Sequence, residues 1–343
     1  MKIRIASILL LGITLSCSKT TETQKTEVNN KSELTIAFGS CAHSYDTLKI
    51  MDAVVANNPK LWIWLGDIVY GDTHDMAELK EKYDKQKNKP EYQILLNTSK
   101  IIGIWDDHDY GVNDAGKFYS KKEESKELLL DFLDVANDDQ VRSHSGAYSE
   151  HDLSFNDKLV KVILLDTRYF RDTLAPDKES MQRYKPNHEG DILGEDQWLW
   201  LEEVLKNSKA DFHILGSSIQ LIPVEQGFEK WANFPLARQR MFDLLTDINP
   251  KPLLVISGDR HIAEISKIDI EGLDYPLYDF TSSGLTHTWG MYRPDSNKYR
   301  VDSLIVARNF GLIKLSWDEG NPNAAFEVRG EKNELIQETT IKY

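Results

Sequence analysis

The chain has 343 residues, 41% hydrophobic and 28% charged, which is the balance of a globular protein with enough apolar material for a substantial core. Its formal net charge of −14 argues against a nucleic-acid backbone as principal partner, since phosphate is gathered by cations and repelled by carboxylates. An acidic balance serves solubility, and it also allows carboxylates to gather around divalent cations.

In chain order, Lys2 and Arg4 precede an apolar run over residues 5–15, followed by Ser16 and Cys17. This is a secretory leader, too short to span a membrane. Leu15-Ser16-Cys17 resembles the lipobox of bacterial lipoproteins, with Thr14 where that motif more often has Leu. It implies a lipidated Cys17 as mature N-terminus and a protein anchored to a bacterial membrane, facing the periplasm or the exterior. Residues 18–32, rich in Thr, Glu, Lys and Asn, have no apolar period and read as a flexible tether, leaving one domain over 33–343. In an oxidising compartment Cys41 then has no disulfide partner, and is either an inert buried thiol or a metal ligand.

The domain opens with a short apolar strand, residues 34–39, that stops at Gly39-Ser40-Cys41. A helix over 46–57 follows, closed by Asn58-Pro59, and leads to the stretch LWIWLGDIVY at 61–70. Its apolar run ends at Gly66-Asp67, which reads as a buried strand delivering a carboxylate at its C-terminal edge, where open α/β sheets place their chemistry. Tyr70, three residues on, can return a phenol oxygen to the same point. Residues 76–89 form a charged surface helix or lid. The next strand, 100–105, runs into Asp106-Asp107-His108-Asp109, and 122–136 reads as an amphipathic helix. Two strands, 147–155 and 158–167, flank Asn156-Asp157, a hairpin signal. Helices over 194–207 and 236–248 alternate with strands over 211–216 and 252–257, the last ending in Gly258-Asp259-Arg260-His261. The remainder alternates in strands, with turns at Glu271-Gly272, Ser283-Gly284 and Asn321-Pro322. Two sheets face to face with helices outside, a four-layer αββα sandwich in the α/β class, fit this order.

The strand ends carry Cys41, Asp67 with Tyr70, Asp107 with His108, and Asp259 with His261. Any one strand ending in Asp is an ordinary turn, but thiol, carboxylate, phenol and imidazole together have the makings of a two-metal centre in which Asp67 bridges. Softer ligands select a transition metal, and Asp107 and Asp259 suit a harder ion.

FGSC at 38–41, GDIVY at 66–70, WDDHDYGVND at 105–114, LDTRYFRD at 165–172, LGEDQWLWL at 193–201 and SGDRH at 257–261 together resemble the alkaline phosphatase D (PhoD-like) metallophosphatases. The resemblance implies a calcineurin-like αββα fold, hydrolysis of phosphoric mono- or diesters, and an iron (Fe3+) site with calcium (Ca2+) beside it. Carried over residue by residue, Cys41, Asp67, Tyr70 and His261 hold iron. Asp67, Asp107 and Asp259, with Asn113 as an addition, hold the second ion, for which Mg2+, Mn2+ or Zn2+ are the alternatives to calcium. Family members carry a β-domain ahead of the first motif, so substrate restrictions due to that domain are not carried over. Where other metallophosphoesterases place a metal-binding His, this chain reads Gly216-Ser217-Ser218, which favours an oxygen-rich second site, and His213 reads as a core residue or one that supports the ligands from behind.

His108, next to a ligand, is placed as proton donor to the leaving oxygen, and Arg168 as a fork on phosphate oxygens, against a structural ion pair with Asp166 or Asp172. His287 and Trp289 are candidates to line the pocket, and His43, His74, His144, His151 and His188 are assigned to the surface. The reading is an exported phosphoric-ester hydrolase, with a phosphate ester as substrate, the membrane as partner through Cys17, no nucleic-acid partner and a monomeric state. The rivals are a phosphodiesterase or phospholipase acting on lipid head groups or cell-wall polymers, and a metal-stabilised surface lipoprotein that binds without chemistry.

Overall fold

The computed structural model describes residues 33–180, 182–289 and 296–343, so the leader, the lipobox and the tether lie outside the described residues. Strands β1 (Leu34–Gly39), β2 (Leu61–Leu65) and β3 (Lys100–Ile104) pair in parallel. Helix α1 (Ile50–Ala56) fills the first crossover, and α2 (Met76–Lys87) with α3 (Pro90–Thr98) fills the second. After β3 come a single helical turn, α4 (Asp107–Tyr110), and α5 (Lys122–Phe132). Hairpin β4 (Ser149–Phe155) and β5 (Lys158–Leu165) turns at Asn156, whose φ of 54° is the left-handed value a two-residue turn needs. A small ribbon follows, β6 (Ala175–Pro176) with β7 (Tyr184–Lys185), then α6 (Gly194–Asn207), β8 (Phe212–Ser217), α7 (Pro235–Ile248) and β9 (Leu253–Ser257). The chain closes with β10 (Ala263–Ile268), β11 (Leu277–Ser282), β12 (Arg300–Ile305), β13 (Asn309–Asp318), β14 (Asn321–Gly330) and β15 (Leu335–Lys342).

These strands make two large sheets, ordered β15-β14-β13-β1-β2-β3 and β12-β10-β11-β9-β8-β5-β4. Side-chain alternation explains the layering. In β5 and β9, Val162, Leu164, Leu254 and Ile256 point into the core shared by both sheets, whereas Ile163, Leu165, Leu253 and Val255 point outward onto α6 and α7. On the first sheet Trp64 turns to the helices, its indole N–H donating to Tyr92 Oη of α3 at 3.2 Å. The αββα expectation therefore holds.

Two details differ from the sequence reading. The turn expected at Asn321-Pro322 sits at Glu319-Gly320, with φ of 50° and 92°, and Pro322 lies in β14 opposite Trp317. Residues 90–98, which carried no assignment, form α3, whose Pro90 starts the helix where no N–H partner is needed. His213 is in β8 and buried as expected, bonded to Ser208 Oγ and the Lys251 carbonyl at the end away from the candidate ligands.

Candidate metal centre

Strands β1, β2, β3 and β9 all deliver their C-terminal ends to one place. Two glycines permit the approach. A Cβ on Gly66, where φ is 85°, would lie 2.2 Å from the Cβ of Asp106, and one on Gly258 would lie 2.5 Å from the Leu65 carbonyl oxygen. Just past the strands, Cys41, Asp67, Asp259 and His261 take φ of 65°, 48°, 66° and 53°. Non-glycine residues hold such angles at a cost on the order of 1 kcal/mol or more each, and four candidate ligands do so together. Asp109 braces the junction by accepting from the backbone N–H of Asp106 at 2.7 Å, Asp67 at 3.2 Å and Ile68 at 3.0 Å.

Among the described residues, ligand atoms gather in three overlapping groups, each within 4.8 Å: Cys41, Asp67 and His261; Asp67, Asp107 and His108; and Asp106, Asp107 and Asp259. Cys41 Sγ lies 3.5 Å from Asp67 Oδ2, and Tyr70 Oη lies 3.0 Å from His261 Nε2. Asp67 belongs to two groups, the position of a bridge. Its Oδ1 is buried and without a hydrogen-bond partner, as is Asp106 Oδ2. Burial, with neighbouring carboxylates adding to it, pushes Asp67 and Asp259 well above the usual carboxylate range. Burial likewise raises Cys41 and lowers His261 to about 3. Orphaned carboxylate oxygens, a thiol and neutral imidazole in one buried cluster are what cations would satisfy, so the residues present fit a pair of metal ions.

His108 stands beside this cluster. Its Nδ1 meets both Asp72 carboxylate oxygens at 2.8 Å, and Asp72 Oδ1 also accepts from the Asn113 backbone N–H at 3.1 Å. Burial opposes a charge on His108, but Asp67, Asp72 and Asp107 outweigh it and push it up to about 11. Burial also works to raise Asp107, yet Arg168, His108 and two backbone N–H groups hold it below the usual value.

Other expected site residues sit differently. Arg168 is fully buried and does not face the place where phosphate would lie. Its Nε donates to Asp106 at 2.7 Å and its Nη1 to Glu229 at 2.6 Å, while Arg171 pairs with the other Glu229 oxygen at 2.9 Å. The ion pair is therefore structural, with partners other than Asp166 or Asp172. Asp166 instead collects N–H donors from Ala147, Arg168, Tyr169 and Trp105, and Gln197 of α6 bonds both its backbone N–H and its carbonyl. Two of the six motifs thus clasp each other. Asn113 is exposed, and its side-chain amide donates to Asp114 Oδ2 at 2.6 Å while its backbone N–H donates to Asp72 Oδ1.

His43 and His287 belong to the site. His287 Nε2 lies 3.1 Å from Tyr70 Oη, and the His43 ring stacks on His287 at 4.3 Å and packs tilted against Tyr70 at 4.1 Å. Trp289 packs beside His261 at 5.4 Å. The FGSC loop carries His43 two residues past Cys41, a proximity that the sequence does offer. Asp72 had a similar signal, five residues after Asp67.

A model of the PhoD-like phosphatase family matches residues 36–309. Alkaline phosphatase D of Bacillus subtilis (strain 168) is 25% identical over 295 residues, covering 71% of this chain and 48% of that protein. The chain thus spans about half the length of that curated relative. Among solved structures, one described as the structure of PhoD superposes with a TM-score of 0.65 at 17% identity, over 90% of this chain and 68% of that one. GAP50, described as the anchor in the inner membrane complex of Plasmodium, superposes with a TM-score of 0.57 at 14% identity, over 90% and 89%. These two likenesses concern the fold alone.

Proposed function

The chain belongs to the PhoD-like phosphatase family, and from that premise we propose that it hydrolyses phosphoric esters at a centre that would hold two cations, with Asp67 in reach of both. The observation that carries this reading is the convergence of Cys41, Asp67, Asp107, Asp259 and His261 at four strand ends, with Asp67 Oδ1 buried and unpaired. Cys41, Asp67, Tyr70 and His261 would hold iron, and Asp67, Asp106, Asp107 and Asp259 a calcium or similar oxygen-seeking ion. Bound there, such ions supply Lewis-acid stabilisation of the charge that develops on the phosphoryl oxygens.

The protein's own groups then position and protonate. Asp72 fixes His108 through Nδ1, leaving Nε2 as the nitrogen that donates a proton to the departing oxygen. Arg168, held between Asp106 and Glu229, keeps the Asp106-Asp107 pair in place and does not touch substrate. Tyr70, bonded to both His261 and His287, orders the wall opposite. The proposal extends to address: the protein is exported and anchored to a bacterial membrane through a lipidated Cys17, as the lipobox resemblance supports.

Hydrolysis of an aryl phosphate monoester and the matching diester by purified protein, with and without calcium, tests the activity. The expected result is turnover of at least one ester class that falls when calcium is withdrawn. Absence of turnover of both, with metal bound, would favour the non-catalytic binding protein.

A further inference from the structure

Residues 283–287, Ser-Gly-Leu-Thr-His, leave the end of β11 and bond to the loops that carry Cys41, Tyr70 and His261. Ser283 exchanges bonds with Ile262, the residue after His261: its N–H donates to the Ile262 carbonyl at 3.0 Å, and its Oγ accepts from the Ile262 N–H at 3.2 Å. Leu285 N–H donates to the Ser40 carbonyl at 3.3 Å. Thr286 then meets the Cys41 loop, and His287 meets Tyr70.

Thr286 is 1% exposed and brackets Cys41. Its N–H and its Oγ1 both donate to the Cys41 carbonyl, each at 3.2 Å, while Oγ1 accepts from the His43 N–H at 2.9 Å. The residue so held is the thiol ligand candidate at a φ of 65°, a left-handed angle that persists only where the surroundings fix it. His287 uses both ring nitrogens, Nδ1 at 3.0 Å from Thr286 Oγ1 and Nε2 at 3.1 Å from Tyr70 Oη. Its ring is stacked by His43 at 4.3 Å and met edge-on by His261 at 4.4 Å. An imidazole bonded at both nitrogens and packed in this way has one orientation, and it transmits that orientation to the phenol oxygen of Tyr70. The carboxylate group of Asp106, Asp107 and Asp259 is held by other partners, with Arg168 on Asp106 and the Asp114 N–H on Asp107. The two halves of the centre therefore have separate supports.

We propose that Thr286 and His287 are positioning residues that hold Cys41 and Tyr70 in place for the softer, iron-binding half of the centre, and that they set its occupancy independently of the carboxylate half. The inference rests on the two-cation reading above and adds to it the residues that keep one of the two cation sites formed.

The test is elemental analysis of purified wild type, Thr286→Val, Thr286→Ser, His287→Leu and His287→Gln after competition with a chelator, with iron and the second ion counted separately and Tm measured alongside. Thr286→Val keeps the shape of the side chain and removes its hydroxyl, and His287→Leu removes the bond to Tyr70. Both should give up iron to roughly 10- to 100-fold less chelator than the wild type, with the second ion retained. Thr286→Ser and His287→Gln, which restore a polar atom at each place, should recover most of the loss. Iron remaining in His287→Leu should also absorb visible light at a shifted wavelength, because the phenol oxygen has lost a hydrogen bond. Should Thr286→Val fail to fold, His287→Leu, at a partly exposed position, carries the test alone. Iron held as tightly in His287→Leu as in the wild type overturns the proposal, as does equal loss of both ions with a lowered Tm, the mark of a merely structural role. Wild-type protein that binds no metal removes the two-cation reading and the positioning role with it.

Discussion

A carboxylate that is 1% exposed and keeps one oxygen unpaired is costly in an ordinary core, and a cation held at Asp67 would offset that cost. Cys41, Asp67, Asp107 and Asp259 were legible in the sequence because each stands two or three residues past the end of an apolar run, where a strand end meets polar residues. Asp72 and His287 were not legible as partners, since their bonds to His108 and Tyr70 are made across 36 and 217 residues. Arg168 was misread for a related reason: an arginine near carboxylates looks the same in sequence whether it faces a substrate or a buried Glu229. His108→Ala should lose a factor of roughly 10² to 10⁴ on alkyl phosphates, much less on aryl phosphates, with metal content retained. Asp72→Asn should lose about ten-fold on the alkyl esters alone, because it loosens the imidazole without removing it. Steady-state kinetics on the two ester classes read both effects, and an equal loss on both classes would give His108 an orienting role. Arg168→Ala should destabilise the fold by about 3 to 5 kcal/mol in urea titration, since Asp106 would be left buried without its cation and Glu229 with Arg171 alone. A fully stable variant with a raised KM would return Arg168 to the substrate.

The helices and strands that pack on the core were readable from periodicity, because α6, α7, β5 and β9 each present a clean apolar face. Elements without such a face were not: α4 is one turn held by the Asp106 and Asp109 cap, and α3 is a short helix on the outer surface of the first sheet. The junction of β2 and β3 is the element on which the centre depends. Gly66→Ala would push a Cβ to 2.2 Å from that of Asp106 in a left-handed conformation, so the variant should lose metal content as well as thermal stability. Elemental analysis alongside a thermal melt distinguishes this from a simple core defect, which would leave metal in the folded fraction. At the hairpin, burial lowers His151 of β4 to about 4, against an ordinary value of 6.5. A histidine whose folded pKa is depressed adds stability that is present above pH 6.5 and lost as pH falls toward 4. His151→Gln should therefore show a smaller drop in Tm between pH 7 and pH 5 than the wild type. An unchanged drop would assign acid sensitivity to other groups.

Among the described residues, two sheets bring candidate ligands from residues 41 to 261 to one edge, and cations held there would relieve the repulsion among the carboxylates. A folded-state-only metal site links binding to stability, so removal of metal by a chelator should lower Tm by several degrees, and calcium with iron should restore it. The αββα architecture was legible from the order of elements, whereas the charge network of Arg168, Arg171 and Glu229 was not, because it joins loops whose meeting only the fold determines. The most direct test of a two-cation centre bridged by Asp67 is elemental analysis of purified wild-type protein and Asp67→Ala. The account predicts two metal ions per wild-type chain, one of them iron, and fewer than one in Asp67→Ala. Wild-type protein without metal, or an Asp67→Ala chain that keeps both ions, would contradict it.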